Sequence, residues 1–374
     1  MKTTILTLFA IVLATVSFSQ TFTDGELDYE VIDADLNQVE LIGSELTGDV
    51  TIPATVTDSG IMYTVISIGA FAFKETGLTS IVIPDSVTSI GEEAFYKNNL
   101  TTVEIPDNVT SIGAFAFFDN SIESIEIPDS VNSIGNYAFY VNNLASVKIS
   151  NSITSIGNGT FRNNSLSEII IPDGVTSIGN FAFLSNSIES IEIPDSVTII
   201  ENSAFRDNSL TSIIIGNSVE IIDNSAFYEN ENLASVTSNA VIAPTLGDDV
   251  FSDISNDAIL YVPTGTTQSY IDAGWEVYFS AIEEVEVSLS TEDFNNDFDQ
   301  ITAYPNPMLN ELQLAGKTEN IQAIKIFNVN GTLVKEILGS SLTNTIAVDY
   351  LSSGVYFLKL LGEQSSTTLK VIKQ

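Results

Sequence analysis

The sequence contains no cysteine and no histidine. Without cysteine there is no disulfide bond, no thiolate nucleophile and no zinc–thiolate site. Without histidine there is no Ser-His-Asp or Cys-His catalytic group, and the commonest metal ligand of proteins is missing. These classes of catalytic and metal site are therefore excluded. We predict a protein that is not an enzyme and that uses neither a cofactor nor a metal ion.

Basic residues are also scarce. The chain has 12 Lys and Arg against 49 Asp and Glu, which gives a formal net charge of −37. A charge of this sign repels nucleic acid and anionic membrane surfaces, so we expect no nucleic-acid partner. Because 44% of the residues are hydrophobic, the chain is too apolar for disorder, and the acids must lie on the surface of a folded core.

The first residues have the pattern of a secretory signal peptide. Lys2 precedes an apolar segment (Ile5–Val16) that is too short to span a bilayer comfortably, and small residues follow at Ser17–Gln20. We predict that residues 1–19 are removed, that no membrane span remains, and that the protein works outside the cytoplasm. Without disulfide bonds, its stability there must come from packing.

A nine-residue motif, IPDSVTSIG at Ile83–Gly91, recurs with small changes every 22 residues. One coil cannot bury its apolar face alone, but stacked coils can, so the repeat predicts a solenoid. Each unit reads as a main strand ended by proline, a second short strand on the opposite wall, and a glycine that suits a tight corner. The units begin at Leu78, Leu100, Ile122, Leu144, Leu166, Ile188 and Leu210, and the corner glycines are Gly91, Gly113, Gly135, Gly157 and Gly179.

Two residue types recur at fixed positions of the unit. Phenylalanine should form an aromatic column in the core. Asparagine either presents a row of ligand amides or satisfies backbone groups in the turn that closes each coil, and the second interpretation is favoured because a buried turn leaves polar groups that need partners. The two columns are Phe95, Phe117, Phe139, Phe161, Phe183, Phe205 and Phe227, and Asn98, Asn120, Asn142, Asn164, Asn186, Asn208 and Asn230.

The unit LTSIVIPDSVTSIGEEAFYKNN closely resembles the BspA-like leucine-rich repeat of bacterial surface antigens, over about residues 22–282. The resemblance implies a mainly β fold with an N-terminal cap (20–62), leucine-rich repeats (63–237) and a C-terminal cap (238–282). Trp275, the single tryptophan, is expected to cover the last coil rather than to bind a ligand.

The tail differs in charge from the rest of the chain. Residues 303–374 hold six Lys and five acids, a net charge of +1, so the first 302 residues carry −38. Residues 283–302 are expected to form an acidic linker. Its DFNNDFD stretch (293–299) superficially resembles a calcium loop, but Phe298 and Tyr304 stand where an EF-hand loop requires Gly and Glu, which leaves open only a weak, nonspecific calcium contact. Two alternating segments, 324–337 and 354–373, predict hairpins and a small β-sandwich of about 70 residues.

Four landmarks fall in order along this tail: YPNP, NVNG, GVYFLKL and a basic final strand. Together they resemble the C-terminal sorting domain, type A, of the type IX (Por) secretion system. The resemblance implies a partner, the type IX machinery, and a protein secreted from, or held on, the outer surface of a Gram-negative bacterium. The residues that carry it are Tyr304, Pro305, Asn306, Pro307, Gly331, Gly354, Tyr356, Lys370 and Lys373.

The main strand should point three residues of each coil outward, and these form an acidic, hydroxyl-rich strip without aromatic residues. We predict that a ligand binds this strip, through Glu104, Glu123, Glu126, Lys148, Glu168, Glu189 and Glu192. Glu104 and Glu126 have the spacing of a retaining glycosidase pair, but we interpret them as a solvated charge ladder relieved by Lys148. The corner aromatics are an alternative contact site or partly buried core: Phe118, Tyr137, Tyr140 and Tyr228.

Asp-Ser-Val occurs at Asp85–Val87, Asp129–Val131 and Asp195–Val197. It resembles a bacterial O-glycosylation acceptor, although the same residues also make the turn after the main strand. The family resemblance implies adhesion or recognition of an extracellular or surface protein or matrix ligand. The alternative is a non-catalytic accessory subunit of a secreted polymer-degrading system, which an aromatic-lined groove would favour.

Overall fold

The computed structural model describes residues 20–285, 301–305, 307–315, 321–328, 333–338, 345–361 and 366–373. The chain divides into two compact units, residues 1–287 and 288–374. The first unit is a β-solenoid of about 11 turns with coils of about 22 residues, which confirms the predicted fold class. The predicted signal peptide and most of the predicted linker, including residues 293–299, lie outside the described residues.

The solenoid begins with antiparallel strands that cover its first coil. Strands β1 and β2 form a hairpin, β3 pairs antiparallel with β2, and β3 then pairs parallel with β6. Tyr29 and Val39 point into the core and have no exposed surface. The bounds are β1 (Thr21–Asp24), β2 (Leu27–Asp33), β3 (Gln38–Ser44), β4 (Gly48–Thr51), β5 (Thr55–Asp58) and β6 (Ile61–Ile68).

The main wall is built from parallel strands, most of them one coil apart, with no strand formed in the coils that begin at Leu100 and Leu166. Alternation buries the fourth and sixth residues of each unit, such as Ile125 and Ile127, and exposes Glu126 between them. The strands are β7 (Leu78–Val82), β10 (Ser124–Glu126), β12 (Ser146–Lys148), β15 (Ser190–Ile193), β17 (Ser212–Ile215) and β19 (Ser235–Ser238).

The opposite wall consists of two-residue parallel strands, as the second apolar pair of each unit predicts. Each strand points an isoleucine or leucine toward the core. The strands are β8 (Ser89–Ile90), β9 (Ser111–Ile112), β11 (Ser133–Ile134), β13 (Ser155–Ile156), β14 (Ser177–Ile178), β16 (Ile199–Ile200), β18 (Ile221–Ile222) and β20 (Thr245–Leu246).

A third side closes each coil without regular strands. Its backbone still bonds from coil to coil: Phe95 N donates to Ala116 O and Phe117 N to Ala138 O, both at 2.8 Å. Two residues of most coils adopt a left-handed backbone conformation here, for example Phe115 (φ 55°) and Asp119 (φ 53°). Nearly all of these residues are of types other than glycine. The sequence gives little sign of these positions because L residues usually avoid this region.

The corner glycines have a different role from the one predicted. None of the five has a positive φ, so backbone freedom is not the reason for them. A Cβ on Gly135 would lie 2.3 Å from the backbone N of Ala114, and one on Gly91 would lie 2.6 Å from that of Ala70. At Gly91 and Gly135 the adjacent coil approaches too closely for a side chain, whereas the equivalent positions of two later coils accommodate Glu201 and Asp223.

The predicted phenylalanine column is confirmed and runs the length of the solenoid. Nine rings, from Phe73 to Phe251, are buried and stack nearly parallel with centroids 5.1–5.7 Å apart. Trp275 closes the column 5.4 Å from Phe251 and donates from Nε1 to Pro244 O. The C-terminal cap consists, in chain order, of β21 (Ile259–Pro263), helix α1 (Thr267–Asp272), a 3₁₀ turn (Trp275–Val277) that contains this tryptophan, and β22 (Ala281–Val285).

The asparagine column satisfies backbone groups, as predicted. Asn142 Oδ1 accepts from Ile122 N at 3.1 Å, which joins the end of the coil to its own beginning. Asn142 Nδ2 donates to Phe117 O in the preceding coil at 2.9 Å and to Phe139 O at 3.2 Å. The same pattern recurs at the other positions of the column, so these amides hold coils together and are not a row of free ligand groups.

The second unit is a β-sandwich. One sheet is ordered β23-β24-β27 and the other β26-β25-β28-β29, and side chains from both, such as Leu312 and Leu358, share one core. Both predicted hairpins are present, β25 with β26 and β28 with β29. The strands are β23 (Thr302–Tyr304), β24 (Glu311–Ala315), β25 (Ala323–Asn328), β26 (Leu333–Leu338), β27 (Thr345–Ala347), β28 (Gly354–Leu361) and β29 (Ser366–Lys373).

Candidate recognition surface

The predicted ligand residues all lie exposed on the main wall. Glu126 pairs in register with Lys148, and Glu192 pairs with Ile214, one coil apart in each case. Glu123 and Glu189 immediately precede β10 and β15. The parallel register therefore brings residues that are 22 positions apart in the sequence into neighbouring places on one face.

Lys148 is the single basic side chain of this group, and it pairs with Glu126. The hydrogen bond and the negative charge of Glu126 raise the pKa of Lys148. Both side chains remain more than 60% exposed, so solvent screens the pair and its contribution to stability is small. Glu126 thus belongs to an exposed ion pair, whereas a general acid needs a pocket that raises its pKa.

Two predicted main strands are not formed. The coils that begin at Leu100 and Leu166 have no strand at residues 100–105 and 166–171, so Glu104 and Glu168 lie outside regular strands. The side-chain alternation persists without the ladder: Val103 and Ile105 are buried on either side of exposed Glu104. The acidic column therefore continues through a wall whose backbone pairing is interrupted.

The corner aromatics form a half-buried cluster on the third side. Phe115 and Tyr137 stack with centroids 5.0 Å apart, and Phe118 and Tyr140 are also 5.0 Å apart. The first pair is stacked and the second is tilted by 46°, and all four rings are partly buried. Tyr228 lies four coils beyond Tyr140 and contacts Arg206 instead. The predicted set is thus three clustered residues and one separate residue, all of them partly buried.

A second row of asparagines was missed by the sequence interpretation. Asn136 Oδ1 accepts from Asn158 N, and Asn158 Oδ1 accepts from Asn180 N, both at 2.9 Å. The row lies between the opposite wall and the corner aromatics. Its signal in the sequence is an Asn directly after the corner position in each unit from Asn136 to Asn224.

The serines of the Asp-Ser-Val motifs are poorly placed for modification in the folded chain. The hydroxyl oxygens of Ser86 and Ser130 are buried and have no hydrogen-bond partner within the solenoid. Ser196 Oγ donates to Val175 O at 2.6 Å in the preceding coil. These contacts support the interpretation of the motif as the turn that follows the main strand.

The sorting-motif residues lie in several parts of the second unit. Tyr304, Pro305 and Pro307 are exposed, and the next residue, Met308, donates from N to Ile372 O of the final strand at 2.7 Å. Tyr356 is buried and its hydroxyl donates to Ser352 O. Gly354 begins β28, Lys370 and Lys373 lie on β29, and Asn306 and Gly331 fall outside the described residues.

The 22-residue coils, the phenylalanine column and the asparagine column are features of a single type of repeat. The family model described as "BspA type Leucine rich repeat region" matches residues 66–187 and 176–300, with six copies. The chain belongs to the BspA-type leucine-rich-repeat family. Its fold is that of repeat proteins that are generally non-catalytic.

The tail matches a second family model, described as "Secretion system C-terminal sorting domain", over residues 302–374. This confirms the predicted type of tail and indicates export by the type IX system to the cell surface or beyond. In the parts of the chain that the structure describes, no helix is both long enough and apolar enough to cross a membrane.

Several solved structures resemble the chain. A leucine-rich repeat protein from Bacteroides ovatus ATCC 8483 has 23% identity over 72% of this chain and 89% of its own, with a TM-score of 0.40. Pneumococcal vaccine antigen PcpA has 18% identity over 72% and 99%, with a TM-score of 0.45. A leucine-rich repeat protein from Bacteroides capillosus ATCC 29799 has 33% identity over 34% and 96%, with a TM-score of 0.30. No curated protein matches the chain.

Proposed function

We propose that this is a non-catalytic adhesion or recognition protein, carried by its tail to the outer surface of a Gram-negative bacterium. The main wall would bind an extracellular protein or matrix component. The supporting observation is that the solenoid presents a long acidic face whose exposed carboxylates recur at coil spacing. The candidate ligand residues are Glu104, Glu123, Glu126, Lys148, Glu168, Glu189 and Glu192.

Charge favours a basic partner for this wall. Carboxylates such as Glu104 and Glu192 accelerate encounter with positively charged proteins and repel acidic ones. Ile170 lies among them with 85% of its surface exposed, and Ile214 with 41%. The carboxylates of this column can attract a basic partner, and the exposed aliphatic side chains among them provide apolar surface that the complex can bury.

The binding test uses the full chain and an extract of extracellular matrix proteins. The variant Glu126→Lys/Glu192→Lys should capture its basic partner much less well than wild type. The matched control, Glu92→Lys/Glu220→Lys, makes the same change in net charge with two exposed residues away from the main wall, and it should capture normally. Equal capture by all three proteins would count against the wall as the binding site.

The export test removes residues 303–374. The solenoid should then fold but remain in the periplasm, which fractionation and surface labelling of cells would show. Normal display of the shortened chain would refute the role of the tail.

A further inference from the structure

The solenoid carries a neutral surface that the acidic wall does not explain. Four ten-residue stretches, 109–118, 131–140, 153–162 and 175–184, contain one charged residue, Arg162. The equivalent stretch on one side contains Glu92 and Glu93, and the one on the other side contains Glu201 and Arg206. We call the exposed part of these four stretches the neutral face; it covers the opposite wall and the adjoining corner of the four central coils.

Hydroxyl groups form the first part of the neutral face. Thr110, Thr154 and Thr176 are exposed at equivalent positions of their coils, with Ser133 and Ser155 beside them. Thr110 Oγ1 donates to Thr88 O at 3.1 Å, and Thr176 Oγ1 donates to Thr154 O at 3.0 Å. Because these protons are used on the backbone, the two hydroxyl oxygens are oriented and remain free to accept from a ligand.

Amide groups form the second part. The Oδ1 atoms of Asn136 and Asn158 accept backbone hydrogen bonds, which fixes the plane of each amide. Neither Nδ2 atom donates a hydrogen bond to any described residue, and Asn136 is exposed. The two groups are thus preoriented donors that stand one coil apart.

The corner adds carbon surface and one cation. The ring of Tyr137 covers Gly159 so closely that a Cβ there would lie 2.2 Å from Tyr137 Cε1. The Arg162 guanidinium lies 5.1 Å from the ring centroid of Tyr140 and 5.5 Å from that of Phe181. The Arg162 Nε donates to Asn163 Oδ1 at 3.3 Å. The two rings hold the cation at the corner, where its remaining N–H groups can donate to a ligand.

We infer that the neutral face binds a neutral polysaccharide. Such a polymer offers many hydroxyl groups that can both donate and accept, which matches fixed acceptors, fixed amide donors and a guanidinium on one surface. An anionic polymer would be repelled by the net charge of −37. A basic protein would find few carboxylates to pair with, although Glu201 accepts hydrogen bonds from Asn180 at the edge of the face. A linear chain lying across four coils can sum contacts that are individually weak.

The test uses a substitution that keeps the structural hydrogen bonds. In Asn136→Asp/Asn158→Asp, each carboxylate can still accept the same backbone N–H, but both Nδ2 donors are lost and charge is introduced. The matched control is Asn224→Asp, because Asn224 Oδ1 accepts from Asp248 N at 2.7 Å in the same manner but lies outside the neutral face. A second pair compares Arg162→Gln with Arg206→Gln, its equivalent two coils away.

The full chain would be run by affinity electrophoresis in gels containing soluble xylan, mixed-linkage β-glucan or galactomannan, and sedimented with cellulose and chitin. We expect retention by at least one of these probes, weakened about tenfold by Asn136→Asp/Asn158→Asp and by Arg162→Gln, since each leaves a bonded group without its partner. Asn224→Asp and Arg206→Gln should bind as wild type.

Failure to bind any of the five probes would overturn the inference. So would binding that neither neutral-face variant weakens, or binding that the control variants weaken equally. Melting curves for every variant separate lost binding from lost folding, and the arginine pair decides the question if the asparagine variant does not fold. The acidic main wall is not involved, so either proposal can fail without the other.

Discussion

Replacing Asn142 by alanine isolates what the asparagine column contributes to stability. Its side chain closes one coil through Ile122 N and ties that coil to the preceding one through Phe117 O, with a further bond to Phe139 O. Asn142 is buried, so water does not easily replace these partners. If the column is structural, the substitution should lower the free energy of unfolding even though it removes few atoms.

The magnitude follows from what each partner retains. Phe117 O keeps a bond from Asn120 Nδ2 at 3.2 Å, and Phe139 O keeps one from Asn164 Nδ2 at 3.0 Å. Only the N–H of Ile122 loses its sole partner. One unsatisfied buried donor costs about 1–3 kcal/mol, and two lost bonds to carbonyls that keep another partner add about 0.5–1.5 kcal/mol each. We expect a total loss of about 2–5 kcal/mol after partial relaxation.

Urea unfolding of the full chain, followed by Trp275 fluorescence, measures this loss. Trp275 is the single tryptophan and is fully buried against the last coil, so it reports on the solenoid. The control is Asn143→Ala: the neighbouring residue is exposed, and its backbone N donates to Ile122 O regardless of side chain. A loss for Asn142→Ala no larger than that for Asn143→Ala would refute the structural role, and lost ligand binding in that folded variant would favour the amide-ligand alternative.

Three further changes test the packing. Phe139→Ala should cost about 3–5 kcal/mol in the same unfolding assay because the ring is fully buried in the stack; a cost below about 1 kcal/mol would exclude it from the core. Gly135→Ala should destabilise because its Cβ would lie 2.3 Å from Ala114 N; a neutral result would contradict the close approach of the two coils as the reason for this glycine. Burial raises the pKa of Tyr270 to about 12, so the folded state holds the phenol proton more tightly than the unfolded chain, and the stability it contributes should be lost as the pH rises from about 10 to about 12. Tyr270→Phe should reduce that slope in unfolding measured across this range, and an unchanged slope would contradict the assignment.

The repeat was predictable because its signals are local and periodic. Leu78, Ile81 and Ile83 recur at fixed offsets, and a 22-residue step between identical positions implies stacking whatever the coil shape. The columns of Phe139 and Asn142 follow directly, since identical positions of a stack must touch. The hairpins of the tail were predictable for the same reason, because alternation over 324–337 and 354–373 indicates strands.

Other features depend on the distance between backbones, which a residue pattern does not encode. Gly135 is needed because the adjacent coil is close, and no single unit shows that approach. The left-handed residues Phe115 and Asp119 are ordinary side chains in an uncommon conformation, so composition gives no sign of the third side. Loss of the main strand around Glu104 is likewise invisible, because its apolar alternation is the same as in coils that form one.

Of the two candidate sites, one could be predicted from the local sequence pattern and the other could not. The acidic column could be listed from the sequence, because exposure follows from alternation. The neutral face was missed because it joins residues of the opposite wall with residues of the third side, and only the folded coil shows that Thr110, Asn136 and Tyr137 share one surface.

The central claim is that the acidic main wall recognises a basic partner, and association kinetics test it most directly. Binding of the captured partner to immobilised full chain would be measured at low and at physiological salt for wild type, Glu126→Lys/Glu192→Lys and Glu92→Lys/Glu220→Lys. The main-wall reversal should slow association much more than it speeds dissociation. The effect should be largest at low salt, where screening is weak and charges attract or repel over more than about 10 Å. The control reversal should leave the rates nearly unchanged. Equal rates for wild type and the main-wall variant at both salt concentrations would contradict the account.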